Sequence, residues 1–314
     1  MFAVILRRIF WSIPVFLLVT GITFVTMHVL PGGPFDTDKT PPALVAQMEA
    51  IYGLNRPLAE QYMTWLANVT RLRFGPSLAF RGQPVESFLL PALAISMQLG
   101  AFAMLFALMV GLPAGIVAAL KHGHWQDRSA TFVAILGVSV PPLVLGPLLY
   151  WIFALQLDWL PVAKWASLRE DGLWPYLSHA ILPAITLGAG VSAIIARLTR
   201  ASLLQVLHED YMRTARSKGL SERVVTVHHG LRNALIPVVT YIGPLAAAIL
   251  TGSLVVEQIF AIPGMGRYFV SSISSRDYPM VMALVVIYSV IIVLVNLLVD
   301  ILYVFIDPRI SQTR

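Results

Sequence analysis

The chain of 314 residues is 57% hydrophobic, 12% charged and free of cysteine, with a mean hydropathy of +0.77. A soluble domain carries about 25% charged residues, so a water-soluble globule is excluded, and without thiols so are disulfides, cysteine nucleophiles and cysteine metal sites. The net charge of +6 fits Lys and Arg held at one face of a membrane, and no basic tract is interleaved with the aromatics that a nucleic-acid stacking surface needs.

In chain order, Arg7 and Arg8 precede an apolar run from Ile9 to Leu30, long enough to span at about 20 residues per crossing. A signal peptide would have a shorter apolar core and a small-x-small cleavage site. Val29-Leu30-Pro31-Gly32-Gly33 follows instead, which predicts an uncleaved first span. Residues 31 to 92 are mixed and polar, punctuated at Pro31-Gly32-Gly33-Pro34, Pro41-Pro42 and Gly75-Pro76. Within them Leu44, Met48, Ile51 and Tyr52 recur at helical spacing, as do Leu58, Tyr62, Trp65, Leu66 and Val69. The segment reads as a small extramembrane cap between the first two spans. Further apolar runs cover Leu93–Leu120, Ala130–Leu157, His179–Ala196, Ile236–Val256 and Pro279–Phe305. The expected fold is therefore an all-α integral membrane protein with about six spans. It divides into 1–30, the cap 31–92, a core 93–305 containing a loop at 197–235, and a tail 306–314.

The basic residues orient it. Arg7, Arg8, Lys121, Arg128, Arg197, Arg200, Arg213, Arg216, Lys218, Arg223, Arg232, Arg309 and Arg314 fall in connections on one side. At about 64 residues those connections carry more than twice the Lys/Arg density of the opposite side, so they are expected to be cytoplasmic, with both termini. Pro113, Pro141-Pro142, Pro147 and Pro244 sit inside spans, where neighbours can re-satisfy the backbone groups they free. Gly111, Gly115, Gly137, Gly188, Gly190 and Gly243 are expected to let helices pack closely.

Catalytic signatures are missing. There is no G-x-x-x-x-G-K-[ST] phosphate loop, no H-E-x-x-H and no G-x-S-x-G elbow, so neither a catalytic nor a metal site is assigned. His28 and Asp300, with Asn296 one turn before it, are the ionisable or polar groups within spans, and both charges lie near a membrane face, where capping or pairing is the simpler role. The outer loop Glu257–Tyr278, with Phe260, Pro263-Gly264 and Gly266, reads as a turn near the membrane face. The alternative is a segment that reaches into an extracytoplasmic partner.

The loop 197–235 reads as helix, break, helix. Tyr211–Lys218 forms the first helix, Gly219 ends it, and Ser221 caps a second with Val224, Val225 and Leu231 on its apolar side. Ala215 and Gly219, four apart, share a face and predict a notch for a partner's backbone, flanked by cations. The stretch that carries this notch and its cations is Arg213, Thr214, Ala215, Arg216, Ser217, Lys218, Gly219 and Leu220.

The stretch Arg213-Thr214-Ala215-Arg216-Ser217-Lys218-Gly219 resembles the EAA loop of bacterial ABC-importer permeases. Arg213 and Thr214 replace the usual Glu and Ala, and His228-His229-Gly230-Leu231-Arg232-Asn233-Ala234-Leu235-Ile236-Pro237 replaces the usual ending, as in the peptide/nickel branch. Leu6-Arg7-Arg8, Leu30-Pro31-Gly32-Gly33-Pro34, Tyr52-Gly53-Leu54-Asn55-Arg56-Pro57, Phe74-Gly75-Pro76-Ser77, Arg276-Asp277-Tyr278-Pro279 and Asp307-Pro308-Arg309 extend the likeness along nearly the whole chain. It is most similar to OppB-type subunits of oligopeptide importers. The resemblance implies a non-catalytic permease in a bacterial inner membrane, working with a second homologous permease, two cytoplasmic ABC ATPases that bind the ATP and Mg, and an extracytoplasmic substrate-binding protein. It implies oligopeptide or dipeptide cargo, with importers of nickel, glutathione or another small solute as the alternative. It also implies that Arg213–Leu220 docks on an ATPase. An ATP-independent channel or carrier is the rival class, and no inverted repeat of the kind many carriers show is evident. Cargo-binding residues stay unassigned.

Overall fold

The computed structural model describes residues 2–29, 35, 42–80, 82–162 and 164–306. Residues 31–34 and 307–309, which carry part of the family likeness, and the side chain of Asp300 lie outside the described residues. Among the described residues the chain is helical, apart from connections and a lone bridge between Pro76 and Pro84.

Helix α1 (Phe2–Val29) leads to the cap helices α2 (Pro42–Tyr52) and α3 (Leu58–Val69). Helix α4 (Val85–Leu120) follows, then α5 (Trp125–Ser139) and α6 (Pro142–Leu149), which runs on as a π-helix over Tyr150–Gln156. Helix α7 (Leu173–Leu207) leads to the short α8 (Asp210–Ser217). A continuous rod then runs from α9 (Glu222–Val224) through a π-helical stretch, Val225–Leu231, into α10 (Arg232–Leu250). Helices α11 (Leu254–Ile259) and α12 (Gly266–Ser274) precede α13 (Tyr278–Ile306). Five of these units are long and apolar enough to cross a membrane, and the bent pair α5–α6 makes six if counted as one span.

The spans differ in detail from the apolar runs. Helix α4 begins at Val85 rather than near residue 93, because Val85, Leu89 and Ala92 are buried in the core and Pro84 supplies the turn before the first helical residue. Helix α7 has 35 residues, about 52 Å at 1.5 Å per residue, and so projects well beyond a hydrocarbon layer of about 30 Å. The run Ile236–Val256 is cut at Gly252 (φ +94°), and Leu254–Val256 belong to α11, whose first turn Ser253 caps through Val256 N–H (3.4 Å).

Glycines close the bundle. A Cβ at Gly111 would lie 2.5 Å from Ser192 O, at Gly115 2.5 Å from Ala196 O, and at Gly188 2.5 Å from Ala103 O. The α4–α7 seam therefore needs these positions bare, which lets the two backbones approach and pack without side chains between them. Leu99, Ile195 and Leu203 are fully buried in and beside this seam. The connections divide between two faces. One, here the cap face, holds α2 and α3 and the start of α13. The other, the basic face, holds the 121–124 turn and α8.

Candidate functional site

On the basic face, α8 is attached to the spans by one side. Met212 (0% exposed) and Ala215 pack with Val225, Val206 and Leu207. Tyr211 Oη accepts from Asn233 Nδ2 at the start of α10 (2.8 Å), and Arg216 Nη1 donates to Leu207 O at the end of α7 (3.4 Å) while its Nε holds Glu222 (2.9 Å). Asp210 in the first turn and Arg216 in the last complement the helix dipole. The opposite side is exposed and presents Arg213, Thr214, Ser217 and Lys218, with Leu220 just beyond. The expected notch is absent. Ala215 faces inward, so it shares no open surface with Gly219. Gly219 has nothing within 4 Å of a Cβ and adopts φ +80°. It therefore ends α8 through a left-handed turn, with its N–H on Arg216 O (2.9 Å). Ser221 precedes α9 in an extended conformation, but its side chain makes no capping bond.

On the cap face two sequence-distant motifs meet. Asp277 is 0% exposed and sits just before α13. Its carboxylate takes the N–H groups of Leu78 (3.1 Å), Ala79 (3.2 Å) and Met280 (3.3 Å), and the Ser77 hydroxyl. Asp277 thus caps α13 and pins the 74–80 segment to it. Gly75 (φ +97°) lies against Pro279. Beside this joint His28 bonds Phe24 O (2.8 Å) and Gln61 Oε1 (3.3 Å) and packs at a tilt against Tyr278 (5.0 Å between rings, 53° between their planes). It pairs α1 with the cap. A cavity of about 350 Å³ opens between α1, α2, α3 and α13, lined by Met27, Tyr52, Trp65 and Phe74 among others.

A second carboxylate is buried where α11 meets α4. Glu257 is 1% exposed. Ser96 Oγ donates to its Oε1 (2.7 Å) and Gly266 N–H to its Oε2 (2.7 Å), while Met265 N–H donates to Ser96 Oγ (2.8 Å). A Cβ at Gly252 would lie 2.7 Å from Oε1 and one at Gly266 2.8 Å from Oε2. Gly264 is as crowded. Burial pushes the Glu257 carboxyl up from its ordinary pKa, opposed by these hydrogen bonds. The loop read as a turn near the membrane face packs its first half against the bundle around this carboxylate, with Phe260, Ile262 and Met265 buried.

A third joint ties the start of α5 to α7. Arg200 Nε and Nη2 grip Asp127 at 2.6 and 2.8 Å, and Gly123 N–H adds 3.0 Å. Asp127 is nearly buried. Nothing in the sequence linked these two residues, which are 73 apart. Glu257 carried a faint signal, as a lone acid between an apolar run and Pro263-Gly264-Met265-Gly266. Among the described residues no three His, Asp or Glu gather as a metal site.

The described residues form a bundle of membrane-length spans with one broken member, its buried carboxylates spent on internal joints. The chain belongs to the family described as "Binding-protein-dependent transport system inner membrane component", whose model matches residues 111–312, while its N-terminal companion matches 1–79. It is similar to the dipeptide transport system permease protein DppB of Bacillus subtilis (strain 168), 45% identical over 96% of each chain. It is also similar to the oligopeptide permease OppB of Haemophilus influenzae, 39% over 98% of each, and to the glutathione permease GsiC of Escherichia coli (strain K12), 40% over 98% of each. The fold is shared with the MetNI methionine ABC transporter in inward-facing form, at a TM-score of 0.57 and 14% identity over 70% of this chain and 96% of that one. The protein is therefore an inner-membrane component of an ABC importer, a transport subunit.

Proposed function

We propose that this chain is a permease for oligopeptides or dipeptides, energised by separate ATPases and not itself catalytic. Relatives named for dipeptide and oligopeptide transport match nearly its full length at 39–45% identity. The observation that carries the coupling role is α8. Arg213, Thr214, Ser217 and Lys218 face outward, while Met212 and Ala215 root the helix in the ends of α7 and α10. Such a helix is a charged docking element whose displacement must move two spans. On this reading Arg213–Leu220 sits against one of two cytoplasmic ATPases, which bind ATP and Mg. The basic face and both termini are cytoplasmic. A second homologous permease completes the path, and a binding protein delivers cargo at the cap face.

A glutathione permease at 40% identity supports a second reading, in which the cargo is a γ-linked tripeptide. Reconstituted complex, loaded with its binding protein, tests both through competition. Ordinary dipeptides should displace labelled cargo and stimulate ATP hydrolysis, and glutathione should not. Displacement by glutathione alone would replace the first reading with the second.

A further inference from the structure

The span made of α5 and α6 bends by 105° between Ser139 and Pro142. Proline has no N–H, so Pro141 and Pro142 deprive the carbonyls four residues earlier, Gly137 and Val138, of their helical donors. Nearby groups are already committed. Val140 N–H bonds Leu136 O (3.0 Å), and Pro141 O takes Val144 and Leu145 N–H (2.9 and 3.0 Å). Gly137 O turns toward Gly190 of α7, 3.6 Å from where a Cβ would stand. Val138, Ser139, Pro141 and Pro142 are exposed.

Ser139 adds an exposed hydroxyl at the break. Several hydroxyls in the other spans fold back on their own helix, as Thr20 does on Phe16 O (2.7 Å), Thr186 on Leu182 O (2.8 Å), Thr240 on Ile236 O (2.9 Å) and Ser289 on Val285 O (2.8 Å), while Ser96 reaches Glu257 and the buried Thr199 hydroxyl has no partner. The Ser139 hydroxyl makes no such bond. The break is also held in place. Gly146 of α6 is buried against Ile259 of α11 and Thr186 of α7, at 3.1 and 3.3 Å from a notional Cβ. Helix α5 has 15 residues, so the break stands about 22 Å above its start on the basic face, within a hydrocarbon layer of about 30 Å. Unpaired backbone acceptors at that depth are tolerated only against protein or water, never against lipid.

We propose that residues 138–142 line the path of the cargo. There the Val138 carbonyl and the Ser139 hydroxyl accept hydrogen bonds from N–H groups of a peptide, its backbone amides or terminal ammonium, and Val138 and Pro141 meet its apolar side chains. The exposed side chains at the break are no larger than valine, which leaves the acceptors reachable, whereas lower on α5 Phe132 and Leu136 offer a bulkier apolar surface suited to lipid or a neighbouring helix. The site deepens the peptide-permease reading and rests on it for the class of ligand.

The chain has no cysteine, so an introduced cysteine is unique in this subunit, and its labelling is read on this chain after the subunits are separated in denaturant. Ser139→Cys, Val138→Cys and the control Phe132→Cys are made in the full complex, reconstituted with its binding protein. Each is treated with a membrane-impermeant maleimide, with and without dipeptide. Both break positions should label and Phe132→Cys should not. Dipeptide at about ten times its half-saturating concentration leaves roughly one site in ten open, so labelling should slow about tenfold. Ser139→Cys and Val138→Cys variants that stay unlabelled but cross-link to the second membrane subunit would make the break an interface and overturn the proposal. So would labelling that dipeptide does not slow in a complex whose ATPase it stimulates, or failure to label at all. Protection by glutathione but not by dipeptides would keep the path and replace ordinary dipeptides with the γ-linked tripeptide as its cargo.

Discussion

Replacing Asp277 by alanine should release the cap from the bundle. The carboxylate serves the Ser77 hydroxyl and the N–H groups of Leu78, Ala79 and Met280. A buried donor left without its acceptor costs about 1–3 kcal/mol. Water reaches this rim once the side chain is gone, so the lower figure applies, and four donors sum to about 4 kcal/mol. Each 1.4 kcal/mol is about tenfold in an opening equilibrium, so local protection should fall by roughly two to three powers of ten. Hydrogen exchange of the complex in lipid nanodiscs, followed by mass spectrometry, reads it directly. The amides of Leu78 and Ala79 should exchange far faster, while peptides from the α4–α7 seam keep their parent rates. Asp277→Asn preserves the shape and one acceptor oxygen and should fall between. Protection at Leu78 and Ala79 within about twofold of the parent in Asp277→Ala would show that the joint does not hold the cap.

Met212→Ala empties a fully buried anchor, which costs about 2–5 kcal/mol at such sites. If α8 transmits motion, the variant should hydrolyse more ATP per peptide moved while Met212→Leu restores the ratio, measured by parallel ATPase and uptake assays. Gly115→Ala places a Cβ 2.5 Å from Ala196 O and 2.7 Å from Thr199 Cβ. It should destabilise by about 1–3 kcal/mol, seen as a lower melting temperature in detergent, whereas Gly190→Ala, whose Cβ would meet Gly137 O at an ordinary contact distance of 3.6 Å, should be neutral. The raised pKa of Glu257 means that the folded state binds its proton more tightly than the unfolded one. Stability should therefore decline as pH rises from the unfolded carboxylate value, about 4.3, through the higher folded value, and level off beyond it. The pH dependence of the melting temperature should lose that decline in Glu257→Gln.

Apolar run length alone located the spans, because a helix in lipid must satisfy its backbone internally and so needs some twenty apolar residues in a row. The glycines at 111, 115 and 188 were legible for a related reason, since in a long apolar helix their main advantage is close approach. What escaped was set by direction and partnership. Ala215 and Gly219 share a helical face by count, yet the left-handed turn at Gly219 takes it off the helix, and Met212 draws Ala215 inward. Asp277, Glu257 and Arg200 looked like loop or snorkelling charges because their partners lie 200, 161 and 73 residues away. The paired prolines at 141 and 142 were visible, but not that they turn the span by 105° instead of kinking it.

The most direct test of the account is transport by the complex itself. The tagged chain is purified in mild detergent with whatever accompanies it, reconstituted into liposomes, and supplied with binding protein, labelled dipeptide and ATP. The account predicts that ATPase subunits and a second permease co-purify, and that dipeptide accumulates only when ATP reaches the basic face. Dipeptide flux through the chain alone, indifferent to ATP, would contradict it.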